Sequence, residues 1–265
     1  MKRRKLAWSV GVGTALIIVA GVASSQDMSD AEIIGKVAER VASYPEVRYM
    51  EVKAVSTMVE MDKQWKPKKE IVVKKIMRMN DGLRSEEILS ARQTEKGNTK
   101  DVTAEHAEEA RKNAEKARRR REERGREADE DHSGGRREFS MEQMFPFGED
   151  KRTRYDFVRR NDSYVGRRTV YVLEAKAKTR SDKWIEGLYY IDKKTFDVLQ
   201  AEVHFAKNPR AVKRFEMEAQ FQVLPEGYLV LARSRVRIHV GLVIKNIRME
   251  AEETYSDYRI SDERF

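Results

Sequence analysis

The stretch FEMEAQFQV, residues Phe215–Val223, decides the fold. Its apolar residues occupy every second position and alternate with glutamate and glutamine. A period of two is typical of a β-strand with one apolar and one solvated face. Neighbouring segments between about residues 169 and 258 show the same pattern and are joined by short turns. The second half of the chain therefore predicts one large antiparallel sheet with a single apolar face.

The rest of the predicted sheet follows from similar segments. Further strands are expected at residues 155–160, 169–178, 184–192, 198–206, 212–224, 229–240 and 242–255, and upstream at 47–62, 70–79 and from a tight Asn80-Asp81-Gly82 turn through about 89. An eleven-residue strand such as 214–224 spans on the order of 35 Å. Such strands would expose a long apolar face, so the sheet must curl or be capped.

The N-terminus predicts an export signal over residues 1–25. Lys2, Arg3, Arg4 and Lys5 precede an apolar stretch that ends near Val22, and small residues for cleavage follow. An uncleaved membrane anchor is the alternative. The formal charge of +9 includes the four basic residues of the signal, so the mature chain carries about +5, which is not a nucleic-acid footprint. The chain has no cysteine, so it can form no disulfide.

An amphipathic helix is predicted for about residues 30–43. Ser29 and Glu32 have the spacing of a capping box. The apolar residues that follow recur at helical spacing and would form a lid on the sheet: Ile33, Ile34, Val37 and Val41.

Residues 93–137 predict a charged helical insertion. Acidic residues stand four positions before basic ones, as in Glu108 and Lys112, and this spacing supports an isolated helix. The segment has almost nothing to bury. The run Arg118–Arg121 is interleaved with glutamates, so a solvated helix is the main interpretation and a peripheral contact with a membrane surface the alternative. We predict no nucleic-acid partner.

Enzyme signatures are missing from the sequence. The four histidines are far apart, and no metal-ligand spacing, nucleophile elbow or phosphate-binding loop occurs. We therefore predict no catalytic residues, no metal and no cofactor. The apolar face remains, and its phase predicts these lining residues: Tyr171, Leu173, Ile185, Tyr189, Ile191, Leu199, Val203, Phe205, Phe215, Met217, Phe221, Val236 and Ile238. They form either a packed core or the wall of a cavity, and the scarcity of apolar helix to cover them favours the cavity.

Three motifs carry a resemblance to a known family: Gly166-Arg167-Arg168-Thr169-Val170-Tyr171-Val172-Leu173, Tyr190-Ile191-Asp192-Lys193-Lys194-Thr195 and Tyr255-Ser256-Asp257-Tyr258. With the signal, the helix and the strand order, they resemble the periplasmic LolA-like and LolB-like lipoprotein-sorting proteins and their relatives, which include anti-sigma regulatory sensor domains. The resemblance implies a half-open antiparallel β-barrel of about eleven strands, lidded by short helices, whose interior holds acyl chains.

The sequence therefore predicts an export signal at 1–25 and a mainly β domain at 27–265, interrupted by the insertion at 93–137. The predicted function is a monomeric, non-enzymatic periplasmic carrier or binding protein for lipid or lipoprotein acyl chains. The alternative is an envelope stress sensor or protein-interaction module of the same fold, held at the inner membrane by an uncleaved signal.

Overall fold

The computed structural model describes residues 28–80, 83–126, 144–241 and 246–262. The predicted signal at 1–25, the centre of the turn at 81–82 and the end of the insertion at 127–137 lie outside these residues. The strands on either side of that turn pair directly at Asn80 and Leu83.

The described chain contains three helices and twelve strands. The helices are α1 (Asp30–Ala42), α2 (Thr103–Arg126) and α3 (Glu149–Arg152). The strands are β1 (Tyr49–Met61), β2 (Pro67–Asn80), β3 (Leu83–Glu95), β4 (Asn98–Asp101), β5 (Tyr155–Arg159), β6 (Ser163–Val165), β7 (Arg168–Ala177), β8 (Ile185–Asp192), β9 (Val198–Phe205), β10 (Val212–Val223), β11 (Leu229–Gly241) and β12 (Asn246–Ser261).

All strands belong to one antiparallel sheet in the order β4-β3-β2-β1-β12-β11-β10-β9-β8-β7-β5, and β6 pairs with β7 beside β5. The last long strand, β12, returns to pair with β1, which places the N-terminal hairpin and the C-terminal strands side by side. Within the described ranges the end strands β4 and β5 do not pair with each other. The predicted mainly β fold, a half-open antiparallel barrel with short helices, is confirmed.

Phe215–Val223 lies in β10, and its two faces are those that the alternation predicts. Ala219 and Phe221 are buried, whereas Glu216 and Gln222 are exposed. The buried side chains belong to the same core as Ile33 and Val37 of α1. We call this side of the sheet the inner face and the opposite side the outer face.

Helix α1 begins at the predicted capping box. The Ser29 side chain accepts a hydrogen bond from the Glu32 backbone N–H, and the Glu32 carboxylate accepts one from the Ser29 N–H at 2.9 Å. Two donors that would otherwise be left unpaired at the helix start are thus satisfied. The apolar stripe of α1 buries Ile33 and Val37 completely, and Ile34 and Val41 pack at the edge of the same core.

The sheet extends further into the predicted insertion than the sequence indicated. β3 continues to Glu95 and β4 occupies Asn98–Asp101, so residues 93–101 belong largely to the sheet rather than to a helical arm. The strand β4 was not predicted because its side chains are polar and exposed throughout, so they show no alternation of apolar and polar residues. Helix α2 begins at Thr103, directly after Val102, which is 2% exposed and packs on Val73 and Ala91.

A short apolar segment, Met144–Phe147, fills the inner face beside α1. Phe147 is fully buried, stacks on Phe157 and meets Tyr189 edge-on, with ring centroids 5.6 and 5.2 Å away. The Tyr189 hydroxyl donates a hydrogen bond to the Met144 carbonyl at 2.7 Å. This segment is the second element, after α1, that covers the apolar face.

Among the described helices, none combines the length and the apolar character needed to cross a membrane.

Candidate functional site

The inner face has a covered part and an open part. α1 and Met144–Phe147 cover the part built from β5, β7–β9 and the segments of β10 and β11 around Phe221 and Leu229, where the side chains form one buried core. The open part is built from β1, β2, β12 and the remaining segments of β10 and β11. The two residues that α1 buries, Ile33 and Val37, both belong to the core of the covered part.

More than half of the predicted lining residues lie in the covered part. Seven of them are buried there, each at most 8% exposed: Tyr171, Leu173, Ile185, Tyr189, Ile191, Val203 and Phe221. Their neighbours are α1 and the Met144–Phe147 segment. These residues form the packed core of the domain, the interpretation that the sequence left open beside a cavity.

Five other predicted residues are only half-buried. They are Phe205, Phe215, Met217, Val236 and Ile238. The rings of Phe205 and Phe215 pack together with centroids 4.7 Å apart. Phe205 and Met217 also touch the covered core, so this group begins where the covered part ends.

Leu199 differs from the sequence-based prediction. The pairing of β8 with β9 shifts between Tyr190, which pairs with Gln200, and Ile191, which pairs with Val198. Leu199 is the extra residue of this β-bulge, and a bulge changes the face on which a side chain lies. It packs on the outer face with Val170 and Val172.

The half-buried residues continue across the open part as a strip that we call the apolar band. One row of cross-strand partners runs Met217, Val236, Ala251, Met58, Ile71, and a second runs Phe215, Ile238, Met249. Direct partners in an antiparallel sheet lie on the same face. With Phe205, these side chains give an apolar surface on six neighbouring strands, β9, β10, β11, β12, β1 and β2.

The band ends in a shallow cleft. Its volume is about 120 Å³, and it is lined by Met58, Glu60, Lys69, Ile71, Ile247 and Met249. Three of these six residues, Met58, Ile71 and Met249, belong to the band. Glu60 and Lys69 face each other across β1 and β2 and mark its polar border. Methionine side chains adapt to varied apolar shapes, which suits a surface that accepts flexible chains.

A cluster of charged side chains borders the band on the other side, and we call it the ionic row. It consists of Lys75, Arg84, Glu86, Glu253 and Tyr255. Lys75 is 8% exposed, and its Nζ lies 2.8 Å from Glu253 Oε1 and 3.1 Å from Glu86 Oε1. The Arg84 guanidinium lies 2.6 Å from the same Glu86 oxygen, and the Tyr255 hydroxyl donates to Glu253 Oε2 at 2.7 Å. Two cations thus balance two carboxylates.

Burial and neighbouring charges shift the pKa values of Glu86 and Tyr255 in this row. Burial acts to raise the pKa of Glu86, but Lys75 and Arg84 outweigh it and hold that pKa below its usual value. Burial also raises the pKa of Tyr255 well above its ordinary value, and the Glu253 charge raises it further. Tyr255 therefore stays protonated and remains a hydrogen-bond donor at neutral pH.

Sequence reasoning missed the ionic row, although a signal was present. Lys75 has the same phase as Val73 and Met77 in β2, and Glu253 has the phase of Met249 and Ala251 in β12. A charged residue on the apolar phase of a strand indicates either a partner across the strands or a functional site. Here Glu86 comes from the neighbouring strand β3, whereas Glu253 comes from β12, which is distant from β2 in the sequence.

Helix α1 is fixed to the β8–β9 turn by one buried carboxylate. Arg40 Nε and the Tyr44 hydroxyl both donate to Asp197 Oδ1, at 2.6 and 2.7 Å, and Thr195 Oγ1 donates to Oδ2 at 2.6 Å. Burial acts to raise the pKa of Asp197, but these three hydrogen bonds lower it below its ordinary value. The helix that was predicted as a lid is therefore held by charge as well as by apolar packing.

The outer face of β11 and β12 is charged. Arg235 pairs with Glu252 and Arg237 with Glu250, at 2.8 and 2.6 Å. His239 lies on this face but is half-covered by Trp65, whose ring meets it edge-on at 6.4 Å. Among the described residues, no group of histidine, aspartate and glutamate side chains is arranged to hold a metal ion.

Solved structures similar to this chain include a candidate outer membrane lipoprotein-sorting domain from Vibrio parahaemolyticus, at 10% identity and a TM-score of 0.38, covering 86% of this chain and 92% of that one. Another is a LolA superfamily protein from Nitrosomonas europaea, which is 12% identical with a TM-score of 0.33. The match covers 89% of this chain and 95% of that one. A chain of the MucA/MucB complex of Pseudomonas aeruginosa is 11% identical with a TM-score of 0.23. The match covers 88% of this chain and 99% of that one.

Two of these likenesses are to the family that the sequence resembles. At these identities and TM-scores they carry no argument about this chain, so its ligand has to be argued from its own residues. No family model and no curated protein matches the chain.

Proposed function

We propose that this protein is a non-enzymatic periplasmic carrier or binding protein for the acyl chains of lipids or lipoproteins, acting in lipoprotein sorting or envelope lipid traffic. The observation that carries the proposal is the apolar band. It presents half-exposed methionine, valine, isoleucine and phenylalanine side chains on neighbouring strands, beside a core that is already filled. The predicted export signal supports a periplasmic location.

Physical chemistry favours an acyl chain as the occupant of the band. Each CH₂ group that leaves water contributes about 0.8 kcal/mol, so a chain of about a dozen carbons gains several kcal/mol even when half-covered. The band crosses six strands at a spacing of about 4.8 Å, which gives a length on the order of 24 Å. A flexible chain of that size fits a long narrow surface better than a compact ligand does.

The proposal differs from the sequence-based one in where the ligand lies. The space beneath α1 is occupied by Phe145, Phe147 and their neighbours. We place the acyl chain on the open part of the inner face, with Phe205 and Met217 at the border of the core. In this proposal α1 stabilises the wall of the site and does not act as a lid that opens for the ligand.

Two measurements test the proposal. Protein exported from cells and extracted with organic solvent should release acylated molecules in a denaturing mass spectrum. The purified protein should also bind a fluorescent apolar probe that dodecanoyl compounds displace. Replacing Val236 and Ile238 by serine should weaken probe binding about tenfold or more, since two half-buried apolar side chains are lost.

The matched control is Val158→Ser, which removes an apolar side chain that is 42% exposed on β5, away from the band. It should leave probe binding unchanged. A protein that carries no acylated molecule and binds no apolar probe would refute the carrier function.

The sensor or interaction-module alternative would use the same band for an apolar protein segment. N-terminal sequencing of the exported protein separates the two proposals. A free N-terminus near residue 26 fits a diffusible carrier, whereas an intact residue 1–25 segment fits an anchored module.

A further inference from the structure

The ionic row lies directly beside the apolar band on the same strands. On β12, Glu253 is two residues from Ala251 of the band, and on β1, Ser56 is two residues from Met58. Two residues along a strand correspond to about 7 Å. A ligand whose chain occupies the band therefore brings its polar end within reach of Glu253.

Glu253 has hydrogen-bonding capacity that its neighbours do not use. Oε2 accepts the Tyr255 hydroxyl. Oε1 is buried and lies 2.8 Å from Lys75 Nζ, with which it forms an ion pair, but it accepts no hydrogen bond from the described residues. A carboxylate oxygen has two lone pairs, so Oε1 can accept a bond from a further donor.

The side chains that flank Glu253 are small. Its direct partners across the strands are Ser234 on β11 and Ser56 on β1. The same row continues with Ala219 on β10. The Glu253 side chain is 17% exposed on the inner face, although its Oε1 atom is covered by neighbouring side chains. Lys75 lies one row further from the band, because it pairs with Ala54 rather than with Ser56.

We propose that Glu253 accepts a hydrogen bond from the polar end of the ligand, so that this site selects acyl chains whose polar end carries an N–H or O–H donor. A secondary N-acyl amide and an acylglycerol with a free hydroxyl both carry such a donor. An amide without an N–H, or an ester without a free hydroxyl, does not. Lys75 holds the carboxylate in place, and Tyr255 fixes its other oxygen. The inference rests on the function proposed above and names the class of ligand that the same site takes.

The experiment compares two neutral ligands that differ in one donor. N-methyldodecanamide has an N–H, and N,N-dimethyldodecanamide has the same chain and carbonyl without it. Both are titrated against a bound fluorescent apolar probe. The wild-type protein should bind the N–H ligand about tenfold more tightly, because the acceptor is charged. In Glu253→Met this preference should fall to less than about twofold.

Two further variants keep the test decisive. Glu250→Met changes a carboxylate on the outer face of the same strand as Glu253, where it pairs with Arg237, and should retain the preference. Glu253→Gln keeps an acceptor oxygen without the charge and should show an intermediate preference, which answers the question if the methionine variant does not fold.

The outcomes separate the two proposals. Equal affinity of the wild-type protein for the two amides would overturn the role of Glu253 and leave the carrier function standing. Failure of both amides to displace the probe would count against the carrier function itself.

Discussion

The Arg40 guanidinium of helix α1 lies 2.6 Å from the Asp197 carboxylate of the β8–β9 turn, across 157 residues of sequence. Asp197 is 5% exposed, and its carboxylate also accepts hydrogen bonds from Tyr44 and Thr195. This carboxylate therefore fixes the C-terminal end of α1 to the covered part of the sheet.

Replacing Asp197 by alanine should lower the free energy of unfolding by about 2–4 kcal/mol. The change leaves three donors without an acceptor, one of them a charged guanidinium. Urea unfolding at pH 7 measures the effect. Asp182→Asn on an exposed turn is the control and should change stability by less than about 0.5 kcal/mol. Equal stability of both variants would show that Asp197 does not anchor the helix.

The same carboxylate predicts a pH dependence. The pKa of Asp197 is lower in the folded protein than its ordinary value, so its stabilising effect is fully present above the unfolded pKa of about 3.9. The effect is lost as the pH falls through the folded-state pKa. The stability difference between wild type and Asp197→Asn should be constant from about pH 6 to 8 and shrink below about pH 4. A difference that grew on acidification would contradict this sign.

Phe147→Ala should destabilise the protein by about 3–5 kcal/mol, because it leaves a cavity in the covered core. The Phe147 ring is fully buried between Phe157 and Tyr189. Thermal or urea unfolding measures the loss. Tyr164→Ala removes a ring that is 71% exposed on β6 and should be close to neutral. If the two variants unfolded alike, the segment would not belong to the core.

Gly187→Ala should be strongly destabilising, by roughly 2 kcal/mol or more. Gly187 lies in β8 with φ 156°, and an added Cβ would lie 2.0 Å from the Glu202 carbonyl oxygen of the next strand. Backbone on both strands would have to move. Gly35→Ala in helix α1 meets nothing within 4 Å and should instead stabilise by about 0.5–1 kcal/mol. Opposite signs in one unfolding assay are the expected result.

Helix α2 should bind weakly to anionic membranes through its C-terminal part. The helix has 24 residues and a length of about 36 Å. Residues 116–126 contain seven basic and two acidic side chains, whereas residues 103–115 contain four acidic and two basic ones. We expect co-sedimentation with phosphatidylglycerol vesicles at low salt, none with phosphatidylcholine vesicles, and loss of binding at about 0.5 M salt.

Charge reversal localises this contact. The triple change of Lys116, Arg118 and Arg119 to glutamate should abolish co-sedimentation. The same three-charge reversal at Lys63, Lys66 and Lys68, around the β1–β2 turn, has an equal effect on net charge and should retain most of the binding. If both triple variants lost binding to the same extent, net charge would be responsible rather than α2.

Local sequence patterns predicted the sheet well because the strand period and the turn residues are local properties. Residues close together in the sequence were enough to predict three features. These are the strands around Phe215–Val223, the capping box at Ser29 and the start of β3 after Asn80. Leu199 was misplaced because a bulge depends on the pairing of two strands, and one sequence does not show that pairing.

The candidate site was predicted only in part, since it depends on which elements meet. The half-buried group from Phe205 to Ile238 was found by its phase, but the filling of the covered part by Phe145 and Phe147 was not. That segment is short, carries a proline and has no periodicity. Its local sequence therefore does not predict that it packs on the inner face of the sheet. The ionic row joins β2, β3 and β12, and only the sheet order brings Lys75 to Glu253.

The lengths of the strands have a consequence for self-association. The central strands β1, β2, β11 and β12 have 13 to 16 residues, whereas the end strands β4 and β5 have four and five. An unpaired strand edge can recruit another chain and start a fibre, and short, charged ends limit that hazard. β4 pairs only with residues 92–95 of β3, so within the described sheet the longer backbone ladder left without a strand partner is residues 83–91 of β3. A barrel that stays open can thus expose an apolar surface to the proposed ligand while self-association by strand pairing concentrates at that one edge.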